Sequence, residues 1–306
     1  MSLSEDARGE LAAIEPRKRC CRLAELSALV RGGGSVHLRG GGRIGVHVEV
    51  ASGAVARRLF SLLRSYGVPC EIRTYRRRAF ERSTRFQLHL EDDARALQAL
   101  NEAGVLDARL APLDRPPRRV VARACCRAAY LRGAFLASGS ASGPRNAHLE
   151  IRMADAGGAR FLAQLAAEHG FGLGVYERNG HAVAYAKGTD AIAGLLAFLG
   201  AHDAAIRLGE EAVVAATRAR ANRLANADHA NIVRTSRAAD AQLRAVRRLE
   251  RDGRLEELSP ELREIARLRA RHPTLSLREL AERCSPPATK AAAHRRLVRL
   301  QRLAEP

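Results

Sequence analysis

Lys290, Arg295, Arg296, Arg299 and Arg302 crowd the stretch Thr289 to Leu303, which holds no acid. Cations at that density suit a polyanion, because each phosphate they neutralise releases a condensed counterion. The excess is not confined to one run. Lys and Arg total 52 against 33 Asp and Glu, a formal charge of +19 and a pI near 11.0. Lys appears only three times, at Lys18, Lys187 and Lys290, so a coding bias accounts for Arg over Lys. It does not account for positives over negatives. Nucleic acid or an anionic surface is therefore the expected partner class. Aromatics make up 4% of the chain, too few for a platform that stacks RNA bases.

A second reactive set is the cysteines: Cys20, Cys21, Cys70, Cys125, Cys126 and Cys284. None has the C-x-x-C spacing of a zinc or redox pair. Neighbouring residues on a helix diverge by about 100°, so one site does not readily take both thiols of a Cys-Cys pair. The expectation is reduced, helix-packing cysteine with no metal and no cofactor; a redox or iron–sulfur role is the alternative. His37, His47, His148 and His181 lie in or beside strand patterns and read as packed or surface residues rather than ligands.

The elements that must position these residues are largely repeated. CCRLAELSALVRGGGSVHL at Cys20 to Leu38 has a near copy, CCRAAYLRGAFLASGSASGP, at Cys125 to Pro144. With Cys20 on Cys125, Leu26 falls on Leu131, Ala28 on Gly133, Val30 on Phe135 and Gly34 on Gly139. After a two-residue slip, VHVEV (Val46 to Val50) pairs with LEIRM (Leu149 to Met153). ARRLFSLLRSYG (Ala56 to Gly67) then pairs with ARFLAQLAAEHG (Ala159 to Gly170). Period-two alternation marks the strands, and Leu59, Leu62, Leu63 and Tyr66 mark a helix face. Two more strands follow in each copy: CEIRTYR and RFQLHLE (to Glu91), then GLGVYER and HAVAYAK, the latter two joined at the hairpin signal Asn179-Gly180. Helices close the copies at Asp92 to Ala103 and Asp190 to Gly200.

Each copy thus reads α-β-β-α-β-β-α. The fold class is α+β, a duplicated domain about a pseudo-twofold axis followed by an all-α domain. The first half is expected at residues 1–106 and the second at 121–205. Between them, 107–120 is a linker, where Pro116-Pro117 continues neither helix nor strand. An Ala- and Arg-rich helical connector occupies 206–258. Met1 to Gly9 is polar, and the longest apolar run, Ala191 to Ala201, is too short to cross a bilayer, so no membrane role and a cytoplasmic, nucleoid-associated location are expected.

Residues 259–306 carry a compact three-helix pattern. Ser259-Pro260 starts the first helix, which stops before Pro273. Ser276 and Glu279 form a capping box for the second. The third opens near Thr289 and places Ala293, Leu297, Leu300 and Ala304 on one face and Arg295, Arg299 and Arg302 on another. Two helices presenting a basic third is the helix-turn-helix arrangement, whose third helix enters the major groove of double-stranded DNA. Candidate DNA contacts are Thr289, Lys290, His294, Arg295, Arg296, Arg299 and Arg302, with Ser276 and Arg278 from the preceding helix. The alternative is a solvated basic helix in a small bundle. Residues 217–306 hold 21 basic and 11 acidic residues, which favours the DNA reading.

Leu131-Arg132-Gly133-Ala134-Phe135-Leu136-Ala137-Ser138-Gly139 resembles the LAGLIDADG helix of homing endonucleases, and Leu26 to Gly34 is a looser version. That resemblance implies two helices packed through small residues at a twofold, with strand saddles that lie along DNA. Such nucleases carry an acid at the end of each helix to hold Mg²⁺ and activate water. Here those positions are Gly33 and Ser138, so no catalytic residue and no nuclease activity are expected. An active homing-type nuclease, or a first domain that docks protein rather than DNA, are the rival readings.

Over nearly its whole length the chain resembles the WhiA regulators of Gram-positive bacteria. The Cys-Cys-Arg starts, LRGAFLASGS, GAHDAAIRL (Gly200 to Leu208), ARANRLANADHAN (Ala219 to Asn231) and HPTLSLRELAERCSPPATKAAAHRRL (His272 to Leu297) carry the likeness. It implies a transcriptional regulator of cell division and sporulation septation, acting in some members with a WhiB-like iron–sulfur partner. One departure concerns the third helix. The family pattern Ser-Lys-x-Gly-Val-Asn-His-Arg is here Thr289-Lys290-Ala291-Ala292-Ala293-His294-Arg295-Arg296, so the preferred DNA sequence is open. Asn222, Arg223, Asn226 and Asn231 read equally as phosphate or interdomain contacts and as helix caps or interhelical hydrogen bonds.

Overall fold

The computed structural model describes residues 2–39, 43–76, 84–90, 93–178 and 180–305. Of the residues named above, Met1, Glu91, Asp92 and Asn179 lie outside the described residues. The chain forms two compact units, Met1–Ala216 and Thr217–Pro306.

The first unit opens with α1 (Leu3–Ala13), a helix that precedes the repeat and that the sequence pattern of the two copies does not include. Its cause is local. Ser2 accepts from the Glu5 N–H and the Glu5 side chain accepts from the Ser2 N–H, a reciprocal cap that satisfies two otherwise orphaned donors. Leu3, Ala7 and Leu11 bury the inner face. The outer face ties down the second half: the Ser4 hydroxyl donates to the Ala141 carbonyl at 2.7 Å.

Both halves then follow one plan. The first runs α2 (Arg19–Gly33), β1 (Gly34–Arg39), β2 (Arg43–Val50), α3 (Gly53–Arg64), β3 (Cys70–Arg76), β4 (Thr84–Leu90) and α4 (Ala94–Glu102). The second runs α5 (Ala124–Ser138), β5 (Gly139–Ser142), β6 (His148–Met153), α6 (Ala156–Ala167), β7 (Gly174–Arg178), β8 (His181–Lys187) and α7 (Thr189–Leu199). Each sheet is antiparallel with the same order, β1-β2-β4-β3 and β5-β6-β8-β7. Alternation sets the buried faces: Val46, Val48 and Val50 point inward on β2, and Leu149, Ile151 and Met153 on β6. α3 and α6 cover those faces with Leu59, Leu62 and Leu63, and with Leu162 and Leu165.

At the centre, α2 and α5 pack against each other. Every residue from Ala24 to Val30 and from Ala129 to Leu136 is buried. A helix covered on all sides needs apolar residues all round rather than on one stripe, and these two sequences supply them except at Glu25, Ser27 and Arg132. Gly133 permits the close approach. A Cβ there would sit 2.6 Å from the Glu25 carbonyl oxygen and 3.0 Å from the Ala28 Cβ.

α8 (His202–Arg251) carries the chain from the first unit into the second. Its first turn is capped from α1, where the Glu10 carboxylate accepts from the N–H groups of Asp203 and Ala204 at 3.0 and 3.1 Å. The second unit continues with α9 (Pro260–Arg271), α10 (Leu277–Glu282) and α11 (Lys290–Ala304). Its core takes in one helix more than the three-helix pattern, because Ala245, Val246 and Leu249 at the end of α8 pack with Leu262, Ile265, Leu280 and Leu297. Among the described residues no helix is long and apolar enough to cross a membrane.

Candidate nucleic-acid interface

α11 is held by its apolar face. Ala293, Leu297, Leu300 and Ala304 are buried against α9 and α10, as their spacing predicts. The opposite side is left in solvent, and it carries Lys290, His294, Arg295, Arg299 and Arg302, all exposed. Arg295, Arg299 and Arg302 recur at i, i+4 and i+7, so they form one stripe along the helix. No acid stands in the first turn of α11, and Lys290 adds its charge to the positive end of the helix dipole.

The remaining expected contacts have other work. Thr289 caps α11, its hydroxyl oxygen accepting from the Ala292 N–H at 3.2 Å. Ser276 caps α10 by accepting from the Glu279 N–H at 3.3 Å, and the Glu279 carboxylate accepts in return from the Ser276 N–H at 2.8 Å. These bonds hold the Glu279 carboxyl below its ordinary pKa. Each hydroxyl still has its proton to donate. Arg278 pairs with Glu282 at 3.1 Å on an exposed surface, an interaction a phosphate can replace at little cost. Arg296 differs. It is half-buried and paired with Glu261 of α9 at 2.9 Å, so it braces α11 rather than joining the exposed stripe. Asn222, Arg223, Asn226 and Asn231 are all exposed on α8, far from the α11 stripe in sequence.

One residue outside these expectations shapes the site. Arg269, 2% exposed, donates to the Pro273 and Leu275 carbonyls at 3.3 and 2.8 Å and so fixes the turn between α9 and α10. Burial lowers its pKa. Nothing in its spacing separates it from the surface arginines around it.

The first unit shows what stands where a paired-carboxylate centre would be. Gly33 ends α2 with its Cα against β2: a Cβ there would lie 2.6 Å from the Glu49 carbonyl oxygen. No side chain fits without a backbone shift. Ser138 ends α5 and donates to the Arg152 carbonyl at 2.6 Å. Among the described residues, the one fully buried carboxylate, Glu25, lies between the helices and is fully engaged. It accepts from Arg58 Nε at 2.7 Å and from Arg132 Nε and Nη2 at 2.9 and 2.6 Å. Glu25 is 0% exposed, and guanidinium groups hold both its oxygens.

At the opposite end of the helix pair the two Cys-Cys pairs meet. The thiol atoms of Cys20, Cys21, Cys125 and Cys126 all lie within 4.8 Å of one another. Two cysteines on one helix diverge by about 100°, but here two helices each bring a pair. α2 and α5 run side by side in the same direction, so each Cys-Cys pair closes against the other. The Cys21 thiol donates to the Cys125 carbonyl at 3.5 Å. Burial, then the contact with the Cys20 thiol, pushes Cys126 up to about 11, and burial raises Cys21 as well.

Three family models match the chain in order: the WhiA N-terminal LAGLIDADG-like domain over residues 19–106, the WhiA LAGLIDADG-like domain over 127–218 and the WhiA C-terminal HTH domain over 221–304. A probable cell division protein WhiA from Heliobacterium modesticaldum is 36% identical over 307 residues, spanning 100% of this chain and 96% of its own. Another, from Symbiobacterium thermophilum, is 37% identical over 309 residues, spanning 100% and 98%. The crystal structure of full-length DUF199/WhiA from Thermatoga maritima shares the fold, with a TM-score of 0.57 at 23% identity over 99% of this chain and 98% of that one.

Proposed function

This chain belongs to the WhiA family, and from that premise we propose that it is a sequence-specific transcriptional regulator of cell division that reads DNA through α11. The observation that carries the reading is the exposed stripe Arg295, Arg299 and Arg302, with Lys290 and His294, opposite the buried face of α11 within the matched HTH domain. In this mechanism the N-terminal half of α11 enters the major groove. His294 and Arg295 present donors to base edges, and Arg299, Arg302 and Lys290 neutralise phosphates. His294 and Arg295 stand where the family pattern has Asn and His, so the operator is its own. The role extends to sporulation septation, beside a WhiB-like iron–sulfur regulator, in a nucleoid-associated protein. Asn222, Arg223, Asn226 and Asn231 add phosphate contacts.

The duplicated unit contributes a scaffold without cleavage chemistry. Gly33 leaves no room for a carboxylate, Ser138 offers only a hydroxyl, and Glu25 is saturated by arginine.

Fluorescence anisotropy of the full chain on duplex promoter fragments across a salt series tests the reading. Arg299→Ala with Arg302→Ala should weaken binding to all sequences and lower the salt slope by about 2, roughly 1 per lost phosphate contact. Arg295→Ala should relax sequence preference instead. Mg²⁺-dependent nicking of plasmid DNA by the unmodified chain, abolished by a chelator, would return it to the nucleases.

A further inference from the structure

The four cysteines at the head of the helix pair are more than packing. We propose that Cys20, Cys21, Cys125 and Cys126 form a tetrathiolate site for a single zinc-class ion that clamps the two halves of the duplicated unit together.

The distances fit one ion. With Zn–S bonds of about 2.3 Å, a regular tetrahedron places its sulfurs about 3.8 Å apart. The four thiol atoms here lie within 4.8 Å of one another, so the longest edge must shorten by about 1 Å, which rotamer adjustment in a first helical turn supplies. An iron–sulfur cubane, in which each thiolate reaches a different iron, needs its four sulfurs spread wider than this. Four protein thiolates leave no open coordination position, which marks a structural site rather than a catalytic one.

The surroundings fit the charge. Four thiolates on a divalent ion leave a net charge of −2. Both helices offer it their positive ends, because each pair occupies the second and third positions of its helix, after Lys18 and after Arg123. Neither helix start is closed by a side chain. The first-turn N–H groups of α2 and α5 are thus left for sulfur acceptors. Arg123 lies near enough to Cys20 to act on it electrostatically. Cys21 and Cys126 are buried at 6% and 1% exposure, while Cys20 and Cys125 are half-buried and give the ion its way in.

Two cysteines come from each half, so neither half can build the site alone. Binding releases the thiol protons and so strengthens with pH.

The test is metal analysis of the full chain purified under reducing, oxygen-free conditions, followed by cobalt(II) titration of the metal-free chain. One zinc per chain, and one cobalt giving tetrahedral d–d bands with thiolate-to-cobalt charge transfer, is the expected result. Cys125→Ser with Cys126→Ser should abolish both. Cys70→Ser with Cys284→Ser should abolish neither. The cobalt spectrum of the unmodified chain decides the matter even if the first variant fails to fold. Absence of both metal and cobalt bands, with all six thiols free, overturns the proposal. So do disulfides joining Cys20 or Cys21 to Cys125 or Cys126, or stoichiometric iron with inorganic sulfide.

Discussion

α2 and α5 occupy equivalent places in a duplicated unit, and they agree at one end, complement each other in the middle and part company at the other end. At the head both carry Cys-Cys, and the pairs meet. In the middle the equivalence breaks usefully: Glu25 of α2 stands where α5 has Tyr130, and Arg132 of α5 stands where α2 has Ser27. The two copies therefore make an ion pair that identical copies could not. At the tail, Gly33 and Ser138 have neither acid nor symmetry. Repetition made the packing, and divergence made it specific to one pairing.

The complementary middle should give the largest effect. Glu25→Gln leaves two guanidinium groups facing a neutral amide in a buried interface. It should cost about 3–5 kcal/mol, as removal of one partner from a buried ion pair does, measured by urea unfolding. A cost under about 1 kcal/mol would mean that the ion triad does not fix the pairing. Gly133→Val probes the contact beside it. Its Cβ would meet the Glu25 carbonyl oxygen at 2.6 Å, so about 1–3 kcal/mol should be lost by forced separation of the helices. Gly9→Val, with nothing within 4 Å of its Cβ, is the control and should leave that interface intact.

The tail yields a sharper test of chemistry than of stability. Gly33→Asp together with Ser138→Asp restores acids in sequence. It should still produce no Mg²⁺-dependent nicking, because the aspartate at 33 collides with β2 and must displace backbone. Plasmid relaxation assays read this directly. The smallest effect concerns helix starts. Thr289→Ala removes a real cap and should cost about 1 kcal/mol in the second unit. Lys18→Ala and Arg123→Ala, at starts without a side-chain cap, should be near neutral.

Much of this was legible in the sequence, for identifiable reasons. The α11 faces follow from 3.6-residue spacing, and Ala293, Leu297, Leu300 and Ala304 are buried as that spacing requires. The duplicated element order follows from aligning Cys20 with Cys125, and the two sheets repeat one strand order. α1 rests on the Ser2–Glu5 capping box and the buried Leu3, Ala7 and Leu11. What spacing cannot show is a meeting of distant residues. Glu25 finds Arg58 and Arg132 at 33 and 107 residues' distance, with no periodic signal to link them. The cysteine cluster has no periodic signal for the same reason: adjacent thiols diverge by about 100° on each helix, and only the pairing of two helices brings the four together. Arg296 carried the same charge as its neighbours in the sequence, and only Glu261 on another helix separates it from them.

The most direct test of the DNA-reading account is selection from random duplex DNA with the full chain, repeated with Arg295→Ala and Arg299→Ala together. The account predicts one enriched motif for the unmodified protein. It also predicts loss of that motif in the variant, with weak, salt-sensitive binding left behind. The same motif enriched by both proteins would contradict it and move base reading away from α11.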